Sequence, residues 1–120
     1  MADPNDTTLD AIEKAFLGSC IIVPDWLDYG ALLRAEQFST GARGLVFDTM
    51  RSVPRRRFDA ALLAFERDRS GVPPPEGTWA WIVGDLIDPD NVAADATLIP
   101  GYVRAIKEAA ALRRASRTGE

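Results

Sequence analysis

The stretch TLDAIEKAFLGSCIIV, residues 8–23, sets Leu9, Ile12, Phe16 and Cys20 at i, i+3, i+7 and i+11, which is one face of an α-helix. Asp10 and Glu13 resemble a capping pair near the positive end of the helix dipole, and Pro24 closes the segment. The helical period continues from there. Asp25 predicts the N-cap of a short helix to Leu33, with Trp26, Leu27 and Tyr29 to Leu33 as its bulk. Gln37-Phe38-Ser39-Thr40-Gly41 reads as a turn in which Thr40 caps a third helix over 41–53, with Leu45, Val46, Thr49, Met50 and Val53 on one face. Phe58, Leu62 and Phe65 mark a fourth helix over 56–69, with Gly71 just past its end. Val72-Pro-Pro-Pro-Glu-Gly77 is a stiff loop within one domain, because neither side alone makes an independent fold. Thr78 caps a fifth helix striped by Trp79, Ile82, Val83 and Leu86. Pro100 suits the N1 place of a last helix over 100–116, marked by Tyr102, Ile106, Ala109 and Leu112. No segment alternates as a strand does, and no repeat recurs at a fixed period. The expected fold class is all-α, a compact bundle of about six helices. It forms a single domain over 8–116, between a flexible leader (1–7) and a flexible tail (117–120).

Composition narrows the function. A chain of 120 residues, 47% of them hydrophobic, sustains one core. With no His, the commonest general base and the usual zinc ligand are missing, and one Cys excludes an internal disulfide framework. Eighteen acidic residues against 14 basic ones give a net charge of −4, which disfavours a dedicated nucleic-acid binder. The opening MADPNDTTLD is polar and acidic, unlike a secretory signal. Ala15 to Val23, the most apolar run, falls far short of the ~20 residues that span a bilayer. With an unpaired Cys20, these features predict a cytoplasmic protein.

Candidate chemistry is sparse. Asp88-x-Asp90-Asn91 opens like a calcium loop, but Ala93 and Ile99 stand where such a loop needs Gly and a bidentate Glu, so a turn is expected. Ser19 and Cys20 have no histidine to activate them, and Cys20 lies on the apolar face. No phosphate-cradling glycine loop occurs. The expectation is therefore no catalytic residue, no cofactor, no metal site, and no enzyme. Arg51, Arg55, Arg56 and Arg57 form a candidate basic patch, and Arg113, Arg114 and Arg117 a second cluster that suits a helix end. Trp79 and Trp81 sit about 200° apart on a helix, so one of them faces outward or into a partner.

The order of motifs resembles the N-terminal domain of DnaB-type replicative DNA helicases. Ile12-Glu-Lys-Ala-Phe-Leu-Gly-Ser19 resembles that domain's opening helix, and Leu32-Leu33-x-x-Glu36-x-Phe38 its next landmark. Gly44-Leu-Val-Phe-Asp-Thr-Met50, Gly77 with Trp79 to Leu86, and Gly101 to Glu108 followed by Leu112-Arg113-Arg114 are similar to its later segments, in the right order over 9–114. The chain departs from the pattern at Ser39 and Arg43, where the family often has a turn ending in His. It departs again at Arg55 to Asp59, where an acidic helix start is usual. It also lacks the family's ATPase domain with its phosphate loop. The resemblance therefore implies either an isolated N-terminal domain or a stand-alone protein of the kind a phage or mobile element encodes.

What the resemblance implies is a non-catalytic assembly module, one that pairs between subunits of a helicase ring and takes part in primase and loader docking. The last helix would be the first arm of a helical hairpin whose second arm is not in this chain, so that Ile106, Ala109 and Leu112 are partly unpaired. The candidate surface for self-association or partner binding is thus Trp81, Tyr102, Ile106, Ala109 and Leu112. Expected partners are a second copy of the chain and a replicative helicase or primase, with no membrane. The competing reading is a small nucleic-acid-binding regulator, or a phage-type modulator of a host helicase, built on Arg51 and Arg55 to Arg57.

Overall fold

Among the described residues, 4–93 and 95–118 of a computed structural model, the chain forms α-helices and 3₁₀ segments and no strand. The helices are α1 (Pro4–Ile22), α2 (Gly41–Ser52), α3 (Ala60–Arg69), α4 (Trp79–Leu86) and α5 (Ile99–Thr118). Counted with the long 3₁₀ segment Pro24–Gly30, which replaces the expected second α-helix, they make the six-element all-α bundle. Pro24 occupies its first position, so Val23 and not Asp25 precedes it. The backbone of α1 begins at Pro4, earlier than Thr8. Residues 1–3 of the expected leader and Gly119 and Glu120 of the expected tail lie outside the described residues.

Side-chain caps set the helix starts. Thr40 Oγ1 accepts from Arg43 N at 3.2 Å, and Thr78 Oγ1 accepts from Trp81 N at 3.1 Å, both as expected. The fourth helix begins at Ala60 and not near 56, because Arg55 and Arg56 hold φ of +57° and +55°, which breaks the helix, and Asp59 then caps α3 through Leu62 N at 2.8 Å. α3 also turns a different face inward. Leu63, Ala64 and Arg67 are buried, whereas Phe65 of the expected stripe is exposed.

The core gathers Phe16, Leu17 and Cys20 of α1, Val46, Phe47 and Met50 of α2, Trp79, Val83 and Leu86 of α4, and Ile99, Val103 and Ile106 of α5. Phe38, Phe16 and Phe47 form a cluster of rings with centroids 5.1–6.3 Å apart. Two glycines allow the helices to approach this closely. A Cβ on Gly18 would lie 1.8 Å from Leu86 O, and one on Gly44 would lie 2.5 Å from Ala35 O. α1 therefore crosses the end of α4 backbone against side-chain-free backbone.

One polar cluster lies inside this packing. Glu13, fully buried, accepts from Ser39 N (2.8 Å), Ser39 Oγ (2.7 Å) and Arg43 Nη1 (2.8 Å). Arg43 also pairs with Asp10, and Lys14 bridges to Asp85 on α4 at 3.1 Å. Asp10 and Glu13 thus bind α2, correcting the expectation that they cap the start of α1. Partial burial raises the Asp10 pKa, but the hydrogen bond and charge of Arg43, with help from Lys14, outweigh this and hold it below 3.8.

Two tests follow from this packing. Gly18→Ala should lower stability by about 1–3 kcal/mol in urea unfolding. Gly84→Ala, with nothing within 4 Å of its Cβ, should raise it by about 0.5–1 kcal/mol. Because Asp10 titrates lower in the folded than in the unfolded chain, its contribution is present above pH 3.8 and is lost as pH falls through the folded value. Denaturation curves from pH 6 to pH 2 should show that loss in the wild type and a shallower slope in Asp10→Asn.

Candidate functional site

The two tryptophans of α4 separate as their spacing requires. Trp79 is 1% exposed, donates from Nε1 to Val72 O at 2.8 Å and carries the Arg67 guanidinium 4.8 Å from its ring. Trp81 is 59% exposed. It stands at a groove of about 540 Å³ between the first turn of α2, the proline loop and α4. Leu45, Pro73, Pro75 and Ile82 supply the groove's apolar lining, and the Lys14–Asp85 bridge lies at its edge. The hydrogen bond to Asp85 holds Lys14 above its ordinary pKa against the opposing effect of burial.

The remaining members of the expected surface lie on α5, none of whose residues lines that groove. Here the structure corrects the reading. The inward stripe of α5 is Ile99, Val103, Ile106 and Ala110, so Ile106 is fully buried in the core and offers nothing to a partner. Apart from Ile106, the expected stripe is rotated away from this one on the helix. Tyr102 and Ala109 are half-buried, and Leu112 is 72% exposed. Trp81 and Leu112 are therefore the outward-facing apolar members.

The candidate basic patch is partly absorbed by the fold. Arg51 donates from Nη1 to Leu33 O at 2.9 Å and lies 5.3 Å from the Phe47 ring centroid. Arg56 pairs with Asp28 and reaches Asp25 O at 3.4 Å. Arg51, Arg55 and Arg56 line a cleft of about 440 Å³ against Leu27 and Gly30, while Arg55 and Arg57 are exposed. In the second cluster, Arg113 donates to Gln37 O at 2.7 Å, and the side chain of Arg117 lies outside the described residues.

Three buried charges, Glu13, Arg43 and Arg67, were not expected from the sequence. The signal was available for Glu13, which falls one turn from both Leu9 and Phe16 on the apolar face of α1. Arg67, 7% exposed, stands one turn after Leu63. Its Nη1 and Nη2 donate to Thr49 Oγ1 (3.3 Å) and Ser70 Oγ (3.0 Å). The residues set aside as nucleophiles are occupied. Ser19 Oγ is buried and accepts from Ala93 N at 2.8 Å, and burial pushes the Cys20 thiol up to about 12. Asp88 accepts from the backbone of Asp90 and Asn91, forming the expected turn. No group of ligating side chains suited to a metal ion occurs among the described residues. None of the described helices is long and apolar enough to cross a membrane.

Helices in this order have a solved counterpart. The chain is similar to the crystal structure of the N-terminal domain of DnaB helicase from Mycobacterium tuberculosis. The two share 28% sequence identity over 91% of this chain and 78% of that one, with a TM-score of 0.76. The ordered motifs and the coordinates therefore agree, and the chain has the fold of a DnaB helicase N-terminal domain. No protein-family model and no curated protein matches it.

The two tryptophans should separate by experiment as they do in space. Trp79→Ala should cost about 3–5 kcal/mol in chemical denaturation, while Trp81→Ala should stay within about 0.5 kcal/mol of wild type.

Proposed function

We propose that this chain is a non-catalytic protein–protein interaction and oligomerisation module of the DNA replication machinery. It pairs with a second copy and docks on a replicative helicase or its primase. The observation that carries this reading is the likeness to a DnaB helicase N-terminal domain over 91% of the chain. Two surface features support it. Trp81 and Leu112 hold large apolar side chains in solvent on different parts of the molecule, which suits a domain with more than one neighbour. The candidate nucleophiles Ser19 and Cys20, by contrast, are sealed in the core.

The internal bonds of Arg51 and Arg56 weaken the competing reading, since two of its four cations already have partners. Light scattering of the purified chain, with co-purification against the helicase and primase of the same source, tests the proposal. Self-association and capture of at least one of these proteins are expected, with Leu112→Glu weakening the self-association and leaving the thermal melt unchanged. A strict monomer that captures neither protein, but binds single-stranded DNA with a steep salt dependence, would replace this reading with the nucleic-acid one.

A further inference from the structure

We infer that the groove beside Trp81 receives a short segment of a partner protein that presents a basic side chain next to an apolar one. This deepens the interaction role proposed above and rests on it. The groove's apolar lining of Leu45, Pro73, Pro75, Trp81 and Ile82 is accompanied by four charged residues, Lys14, Arg43, Glu76 and Asp85. Three of these are paired within the molecule, Lys14 with Asp85 at 3.1 Å and Arg43 with Glu13 at 2.8 Å. Glu76 makes no hydrogen bond or ion pair among the described residues. The unpaired charge of the groove is therefore negative.

The turn that carries Glu76 passes beside the exposed indole. Gly77 adopts φ +65°, and a Cβ there would lie 3.7 Å from Trp81 Cε3. Glu76, Gly77 and Trp81 also line an adjoining depression of about 350 Å³. An exposed indole and an unpaired carboxylate lining one depression together complement a cation. The ring attracts the charge through its quadrupole and the carboxylate by Coulomb's law. A guanidinium suits the pair better than an ammonium, because it stacks on the ring and can still donate at its edge. The neighbouring apolar side chain of the same segment would then cover Leu45, Pro73 and Ile82, while an acidic segment would meet Glu76 as a like charge.

The test uses the full chain, labelled for observation of its indole N–H resonances, and two probes, acetyl-Leu-Leu-Arg-amide and acetyl-Leu-Leu-Glu-amide. The arginine peptide should shift the Trp81 resonance saturably and the glutamate peptide should bind several-fold more weakly. Glu76→Gln should remove most of that difference, and Trp81→Ala, titrated by calorimetry because it lacks the reporter indole, should abolish binding. Both positions are exposed, so unchanged thermal melts will verify folding. Equal response to both peptides, or shifts centred elsewhere, would overturn the inference. So would a Trp81 shift produced by raising the protein concentration alone, since a second copy would then be the occupant. Helicase capture that persists in Glu76→Gln/Trp81→Ala overturns the groove and leaves the interaction role standing. Saturable binding of the arginine peptide without helicase or primase capture upholds the groove and overturns that role.

Discussion

A carboxylate sealed inside a helical core fixes the arrangement of everything around it. Glu13 has no access to water, so its oxygens must find donors within the protein, and they find them on the turn that starts α2. Ser39 gives its backbone N–H and its hydroxyl, and Arg43 gives a guanidinium N–H one turn into the helix. Desolvating such an ion costs several kcal/mol unless these donors are all in place, so displaced packings of α2 on α1 are strongly disfavoured. Phe38 is thereby set between Phe16 and Phe47, and the ring cluster closes over the same junction. The tie reaches α4 as well, through Asp10, Lys14 and Asp85, one turn apart on α1 and then across to the far helix.

The same tie explains two departures from the pattern that the resemblance sets. Ser39 and Arg43 replace residues usual at those places, and they are the two that satisfy Glu13. Gly18 and Gly44 constrain the same packing further, because backbone atoms of a neighbouring segment occupy the space a Cβ would need.

How far the fold was legible in the sequence depended on how local each signal was. Thr40 and Thr78 could be assigned because a cap acts within three residues of itself. The separation of Trp79 from Trp81 followed from helical pitch alone. Where two faces of a helix were both partly apolar, spacing could not choose between them. On α3 the face bearing Arg67 turned inward and Phe65 outward, because the Trp79 ring and the hydroxyls of Thr49 and Ser70 receive the guanidinium. On α5 the expected stripe shares only Ile106 with the buried one of Ile99, Val103, Ile106 and Ala110, since packing against α1 and the 3₁₀ segment Pro24–Gly30 sets the phase. The Arg55–Arg56 break was hidden for a related reason. Nothing local requires a positive φ at an arginine; Asp28 and Asp25, about 30 residues earlier, hold Arg56 where it is.

These cases divide the molecule's charges by use. Glu13, Arg43 and Asp10, with Lys14 and Asp85, join helices, and Arg51, Arg56, Arg67 and Arg113 are turned to backbone carbonyls, hydroxyls, rings or a nearby carboxylate. A net charge of −4 thus says little about any face, because five of the twelve arginines, Arg43, Arg51, Arg56, Arg67 and Arg113, are bound within the fold. Specific recognition then has to come from what the fold does not consume. The proposed groove draws on such groups: next to the positive-φ Gly77, Glu76 lines the same depression as an indole that helical pitch has already turned outward. Neither residue is needed by the core, so the pair can differ between relatives while the bundle that presents it stays the same.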